Sequence, residues 1–171
     1  NHASLLDGVI LTAALPPRFG FVIKNEMKKI PIGNLLLKRL GSEFVERSDR
    51  HKGASDARSI LRKAHGGEAL VFFPEGTFRA EHGLGRYHSG AFAAASKGNL
   101  PVVPVIIRGS RYVLPADRIL PRPGKIEVLL TGALTYEADD VPPGAKQMGE
   151  DSRRRILQHL GEPALDFFIR R

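Results

Sequence analysis

Ala69-Leu70-Val71-Phe72-Phe73-Pro74-Glu75-Gly76-Thr77 is the stretch whose reading decides the fold. Five apolar residues run without a polar break and stop at Pro74. Such a run suits a strand covered on both faces, as in sheets flanked by helices. Upstream, Ser55 to His65 has a helical pattern that ends at Gly66-Gly67. Glu43 to Glu46 reads as a brief strand. Pro31 to Leu40 reads as a helix closed by Gly41, and Gly20 to Ile23 as a short buried strand. Leu5, Leu6, Val9, Ile10 and Ala13 recur at helical spacing up to Pro16-Pro17. Downstream, Gly90 to Lys97 is an alanine-rich helix, and Val102 to Ile107 a strand whose Pro104 marks an edge or a bulge. Lys125 to Leu130 is a further strand and Asp151 to Leu160 a late helix. The alternation predicts an α/β domain with a central, mostly parallel or mixed sheet flanked by helices on both faces. Pro142-Pro143-Gly144 reads as a loop rather than a linker, so residues 1–171 are one domain.

The composition narrows the partners. There are 26 Lys and Arg against 18 Asp and Glu, a formal charge of +8, which favours anionic partners. Nucleic acid is disfavoured, because aromatics make up only 7% and tryptophan is absent. The absence of cysteine excludes disulfides, thiolate metal sites and a thiol nucleophile. No apolar run approaches the roughly 18–20 residues that span a bilayer, and no signal peptide is visible. The pattern opens abruptly at Asn1-His2 with no strand before it, so the chain reads as a domain truncated at its N-terminus.

Two short stretches carry chemistry. His2 and Asp7 are five apart, a spacing that puts them on different faces of one helix. They meet only if His2 lies in the loop before the helix, with Ser4 as the break and N-cap. A carboxylate on one imidazole nitrogen then fixes the tautomer and leaves the other as a base. Ser4-Leu5-Leu6-Asp7 is equally a capping box, in which Asp7 satisfies backbone N–H groups. In the second stretch, Gly76 permits close backbone approach, Thr77 offers a hydroxyl and Arg79 a fork of donors suited to phosphate. Glu75 would repel phosphate and is better placed to accept from a hydroxyl or backbone. Arg47, after the brief strand, is a further phosphate candidate. Val103-Pro104-Val105-Ile106 is core or the wall of an acyl-chain channel. The remaining histidines show no metal-ligand spacing, so no metal is expected. No Gly-x-Ser-x-Gly occurs, which argues against a serine hydrolase. Eight basic residues between Lys24 and Lys52, partly offset by Glu26, Glu43, Glu46 and Asp49, surround Leu35-Leu36-Leu37 and read equally as a face for an anionic membrane surface or as a solvated basic face over core leucines. Arg153-Arg154-Arg155 reads as a solvated face.

The order of the blocks adds what no single block supplies. Asn1-His2-x-x-x-x-Asp7, Gly41-x-x-Phe44-Val45-Glu46-Arg47, Phe73-Pro74-Glu75-Gly76-Thr77 and Val103-Pro104-Val105 together resemble the four-block pattern of the lysophosphatidic acid acyltransferases, the PlsC-like branch of the glycerolipid acyltransferases. The resemblance runs from residue 1 to about residue 130, and the segment after about residue 135 adds nothing to it. It implies a glycerol-3-phosphate acyltransferase-like fold. It also implies transfer of a fatty acyl group from acyl-CoA or acyl carrier protein to the hydroxyl of lysophosphatidic acid or a related lysophospholipid. His2 would be the general base and Asp7 its orienter. Arg47, Glu75, Gly76, Thr77 and Arg79 would map to the acceptor-phosphate region, and Val103 and Pro104 to the fourth block. No cofactor is implied beyond the acyl donor, and the place of work would be peripheral, at the cytoplasmic face of a membrane. The alternative is a non-catalytic module that binds anionic lipid on the same fold. Two positions depart from the family pattern: Phe78 stands where arginine commonly follows the threonine, and Glu46 where aspartate is frequent.

Overall fold

A computed structural model describes residues 1–16, 19–24, 43–45, 60–78, 80–136 and 143–166. The helix expected over residues 31–40, the first part of the helix expected over residues 55–65, most of the basic segment of residues 24–52, Arg47 and Arg79 lie outside the described residues. The chain divides into two compact units, one of residues 15–73 and one of residues 1–14 with 74–171.

The first unit is built on a parallel sheet. β1 (Phe19–Lys24) is central, with β2 (Glu43–Val45) and β3 (Ala69–Phe72) on either side. Val22 is in register with Glu43, and Phe19 with Ala69. Parallel neighbours require long crossover connections, and residues 60–65 are a helical part of the second one. That helix ends as its glycines suggest. Gly66 N–H donates to Arg62 O (3.0 Å) and Glu68 N–H to Lys63 O (3.1 Å), with Gly67 left-handed at φ 86°. Phe21 is buried, with Phe73 stacked on it and Phe19 edge-on. β3 is an edge of this sheet, so Leu70, Val71 and Phe72 are half-buried and Ala69 exposed.

In the second unit, α1 (Asp7–Ala14) is followed in chain order by α2 (Gly90–Gly98), β4 (Val105–Arg108), α3 (Ser110–Val113), β5 (Glu127–Leu130) and α4 (Ala145–Leu160). β4 and β5 pair antiparallel, from Val105 opposite Leu130 to Arg108 opposite Glu127. Both parallel and antiparallel pairing therefore occur, and the architecture is α/β. Leu84, Ile106, Ile156 and Leu160 form one core cluster, and Phe92, Ala95 and Met148 another. Gly149 allows α2 and α4 to approach, because a Cβ there would lie 3.2 Å from the Phe92 ring.

Three elements differ from the sequence reading. β4 begins at Val105, after Pro104 rather than through it. Residues 102–104 still run beside 131–134, but they contribute carbonyls: Thr131 N–H donates to Pro104 O (3.1 Å) and Leu134 N–H to Val102 O (2.8 Å). Proline lacks only the donor, so this arrangement tolerates it. α4 starts at Ala145, six residues before the expected Asp151, because Gly149 and its charged neighbours interrupt the apolar period. Its buried face, Met148, Ser152, Ile156 and Leu160, repeats at four-residue steps. The short α3 was not foreseen.

Arg153 corrects another expectation. It is not part of a solvated face: its Nε donates to Gly85 O and its Nη2 to Leu84 O and Leu165 O, each at 2.9 Å. Arg154 is exposed and pairs with Asp151. The tail beyond α4 returns to the same loop. Leu84 N–H donates to Pro163 O and Leu165 N–H to Leu84 O, while Glu162 takes Gly83 N–H and pairs with the buried Arg111 at 3.1 Å. Truncation of Arg153 removes the donor to Gly85 O and Leu165 O and leaves Leu84 O with Leu165 N–H alone. Arg153→Ala is therefore expected to lower the unfolding free energy by about 2–3 kcal/mol, and Arg154→Ala by less than about 0.5 kcal/mol, both read by urea denaturation.

Candidate active site

The site begins with an amide that imitates a strand. Asn1 Nδ2 donates to Ile107 O (2.9 Å) and Asn1 Oδ1 accepts from Ile107 N–H (2.8 Å), while Asn1 N donates to Val105 O at 3.3 Å. The first residue is thereby fixed to β4. Ser4 provides a second anchor, with its hydroxyl donating to Leu114 O just after α3 (2.7 Å) and accepting from Leu6 N–H (3.2 Å).

Between these anchors the chain folds back on Asp7. This carboxylate is fully buried at the start of α1, and its Oδ2 lies 2.8 Å from His2 Nδ1. The same oxygen accepts from Ala3 N–H (2.6 Å) and Ser4 N–H (2.9 Å). The capping box and the His–Asp pair are thus both present and share one oxygen. Burial on its own would push the Asp7 carboxyl up. The bond and charge of His2, the Ser110 hydroxyl and the Ser4 N–H outweigh it and hold the group below the ordinary value. An ionised carboxylate is an acceptor only, so Nδ1 carries the ring proton and the basic lone pair lies on Nε2. Asp7 Oδ1 and the Ser110 hydroxyl are both buried without a well-formed hydrogen bond among the described residues.

Glu75 is held in the same way, by backbone. Its Oε1 accepts His2 N–H (2.7 Å) and its Oε2 Gly85 N–H (3.0 Å), and the side chain is almost wholly buried. Burial pushes this carboxyl up, against the pull of the Asn1 amino group, the two N–H donors and His2. Gly76 follows with φ 80°, a left-handed conformation that favours glycine, and Thr77 is buried. Phe78 meets the His2 ring edge-on, with centroids 4.9 Å apart.

His2, Asp7 and Glu75 therefore converge, with Gly76 and Thr77 on the adjoining turn. Pro104 immediately precedes the strand that anchors Asn1, and Val103 is exposed. Sequence reasoning gave no role to Asn1, Phe78, Gly85 or Ser110. Asn1 was visible as a motif letter and Phe78 as a departure from a pattern. Gly85 and Ser110 carried no local signal, since their partners lie far away in sequence. Among the described residues, no group of three or more His, Asp or Glu is placed to hold a metal.

A loop-borne histidine oriented by a buried carboxylate at the start of a helix has the geometry that a general base requires. The family model described as Acyltransferase matches residues 1–108, and the chain belongs to that family. The chain is 27% identical to the solved 1-acyl-sn-glycerophosphate acyltransferase PlsC from Thermotoga maritima, with a TM-score of 0.62 over 92% of this chain and 63% of that one. It is 29% identical to the chloroplastic 1-acyl-sn-glycerol-3-phosphate acyltransferase of Brassica napus, over 67% of this chain and 33% of that protein. It is 31% identical to the lyso-ornithine lipid O-acyltransferase of Pseudomonas aeruginosa, over 94% of this chain and 50% of that protein. The match spans about a third to two thirds of the length of the curated relatives.

The two buried carboxylates have opposite pH signatures. Asp7 lies below 3.8 in the folded state, so its contribution to stability is present above that pH and lost as pH falls through the folded value. Glu75 lies above 4.5, so the native state binds the extra proton and its share of stability falls as pH rises from 4.5 through the raised value. Glu75→Gln is expected to make the slope of unfolding free energy against pH more positive in the window just above pH 4.5. Urea titrations across that window check this, and an unchanged slope contradicts a raised carboxyl.

Proposed function

We propose that this chain is the catalytic part of an O-acyltransferase that moves a fatty acyl group from acyl-CoA or acyl carrier protein to the hydroxyl of lysophosphatidic acid (1-acylglycerol-3-phosphate) or a related lysophospholipid. The observation that carries the proposal is the 2.8 Å contact between His2 Nδ1 and the buried Asp7 Oδ2. In this reading His2 Nε2 takes the proton of the acceptor hydroxyl as its oxygen attacks the thioester carbonyl. The carbon–sulfur bond then breaks, and the proton on His2 passes to the departing thiolate. The products are an ester and a thiol, with no acyl-enzyme. The activated thioester carries the chemistry, so the reaction needs no metal or other cofactor. Asp7 holds the tautomer and stabilises the imidazolium as it forms.

Acceptor binding is assigned to the turn beyond Glu75. Glu75 takes no part in phosphate contact in this scheme; it fixes the His2 backbone. Gly76 offers close backbone approach and Thr77 a hydroxyl, while Arg47 and Arg79 supply guanidinium groups. Val103 and Pro104 are assigned to the acyl-chain side. Work at a membrane surface fits a charge of +8 and a lipid acceptor. A peripheral position at the cytoplasmic face is part of the proposal; no helix among the described residues is long and apolar enough to cross a membrane.

A second acceptor class is favoured by Phe78. It stands where relatives commonly carry arginine and packs on His2 instead. One similar protein, covering nearly all of this chain, is named for a lyso-ornithine lipid, whose head group is an amino acid. Acceptors are therefore to be compared directly. Purified protein is expected to acylate lysophosphatidic acid or lyso-ornithine lipid, and Asp7→Asn to lower the rate by at least about 100-fold, with His2→Ala lower still. Full activity in His2→Ala sinks the mechanism, and lipid binding without transfer from any donor supports a non-catalytic module.

A further inference from the structure

We propose that the loop of residues 114–122 is a membrane-insertion tip, in which Ile119 and Leu120 enter an anionic bilayer while Arg118 and Arg122 hold lipid phosphates at its surface. The inference rests on the reading of the acceptor as a lipid but is tested independently of turnover.

Ile119 is 93% exposed and Leu120 77%, the two most exposed of the large apolar residues described. They belong to a loop whose two ends are joined. Arg122 N–H donates to Val113 O (2.8 Å) and joins the two ends. Arg122 Nε donates to Tyr112 O (2.7 Å), and its guanidinium lies 3.8 Å from the Tyr112 ring centroid. Arg118 N–H donates to Pro115 O (3.2 Å) and makes a turn within the loop. Pro115, Pro121 and Pro123 restrict the backbone further. At Gly124 a Cβ would lie 2.9 Å from Tyr112 and Val113, so the return strand of the loop is tightly packed at its base. The apolar tip is therefore presented by a fixed frame.

The charge around the tip fits a phospholipid surface. Arg118-Ile119-Leu120-Pro121-Arg122 places one cation on each side of the apolar pair, with Asp117 the sole acid between Leu114 and Arg122. Guanidinium groups bind phosphate oxygens in pairs, and basic residues beside a shallowly buried apolar group are the general pattern of interfacial attachment. The two adjacent side chains are both open to solvent, which suits penetration of a soft surface. The loop is also rooted at the catalytic segment, because Leu114 O accepts the Ser4 hydroxyl. From Leu114 to Ile119 the chain reaches at most about 18 Å. A membrane that accepts the tip is thus held within that reach of the segment carrying His2 and Asp7.

The sequence contains no tryptophan, so Ile119→Trp introduces a single indole reporter. With vesicles of phosphatidylcholine and phosphatidylglycerol, its emission is expected to shift to the blue and to be quenched by lipids brominated on their acyl chains. Phosphatidylcholine vesicles alone are expected to give a much smaller shift. Lys146→Trp, at an exposed position on α4, is expected to show neither change. The double variant Ile119→Asp/Leu120→Asp is expected to bind anionic vesicles at least about tenfold more weakly. It should keep its transfer rate to a monomeric short-chain acceptor. Water-like emission with anionic vesicles overturns the proposal. Blue-shifted emission before any vesicle is added also overturns it, since protein then covers the tip. Unchanged vesicle binding by the double variant overturns it as well. If no acceptor is acylated by any form while the emission shift persists, the acyltransferase reading fails and the insertion tip stands.

Discussion

One carboxylate oxygen, Asp7 Oδ2, accepts three hydrogen bonds within 2.9 Å, from His2 Nδ1, Ala3 N–H and Ser4 N–H. A helix start leaves N–H groups without intrahelical partners, and here the residue that satisfies them also orients the imidazole. The pairing fixes His2 relative to the axis of α1 without placing both on its surface. It also favours the ionised carboxylate, since the bond and charge of His2, with the Ser110 hydroxyl and the Ser4 N–H, outweigh the cost of burial. Orientation of the imidazole and initiation of the helix are one structural event.

The segment that carries this oxygen is only a few residues long, and distant parts of the chain hold it in place. β4 takes Asn1 through a two-bond amide contact, and Leu114 takes the Ser4 hydroxyl. Glu75 takes the His2 backbone and hands the restraint to Gly85. Gly85 belongs to the loop that Arg153 clamps to Leu165, and whose Gly83 bonds to Glu162. The C-terminal part, which carries none of the four-block pattern, thus supports His2 through two intermediates, Gly85 and Glu75. Catalytic groups act only when held near the productive geometry, and such second-layer contacts supply that restraint.

The sequence made the strands and the His2–Asp7 contact legible for physical reasons. β1, β2 and β3 appear as short apolar runs bounded by glycine, proline or charge, and α2 as an alanine-rich stretch. The spacing of His2 and Asp7 placed the histidine before the helix, as the structure has it. Capping box and His–Asp pair looked like competing readings because a single residue's pattern cannot show how many donors one oxygen accepts. Arg153 was misread because charge normally marks a solvated face, and only its three carbonyl partners, remote in sequence, show otherwise. The early start of α4 was hidden by Gly149, whose value lies in the ring it lets approach. Ser110 and Gly85 were silent for the same reason: their neighbours are set by the fold.

The central claim is that a buried, ionised Asp7 holds His2 as the Nδ1-protonated tautomer, with the basic lone pair on Nε2. Nitrogen-15 NMR of histidine-labelled protein at neutral pH reads this directly, with His2→Ala identifying the resonances. The account predicts a pyrrole-type shift for Nδ1 and a pyridine-type shift for Nε2, and loss of that preference in Asp7→Asn. A neutral ring protonated on Nε2 in the unaltered protein would contradict it.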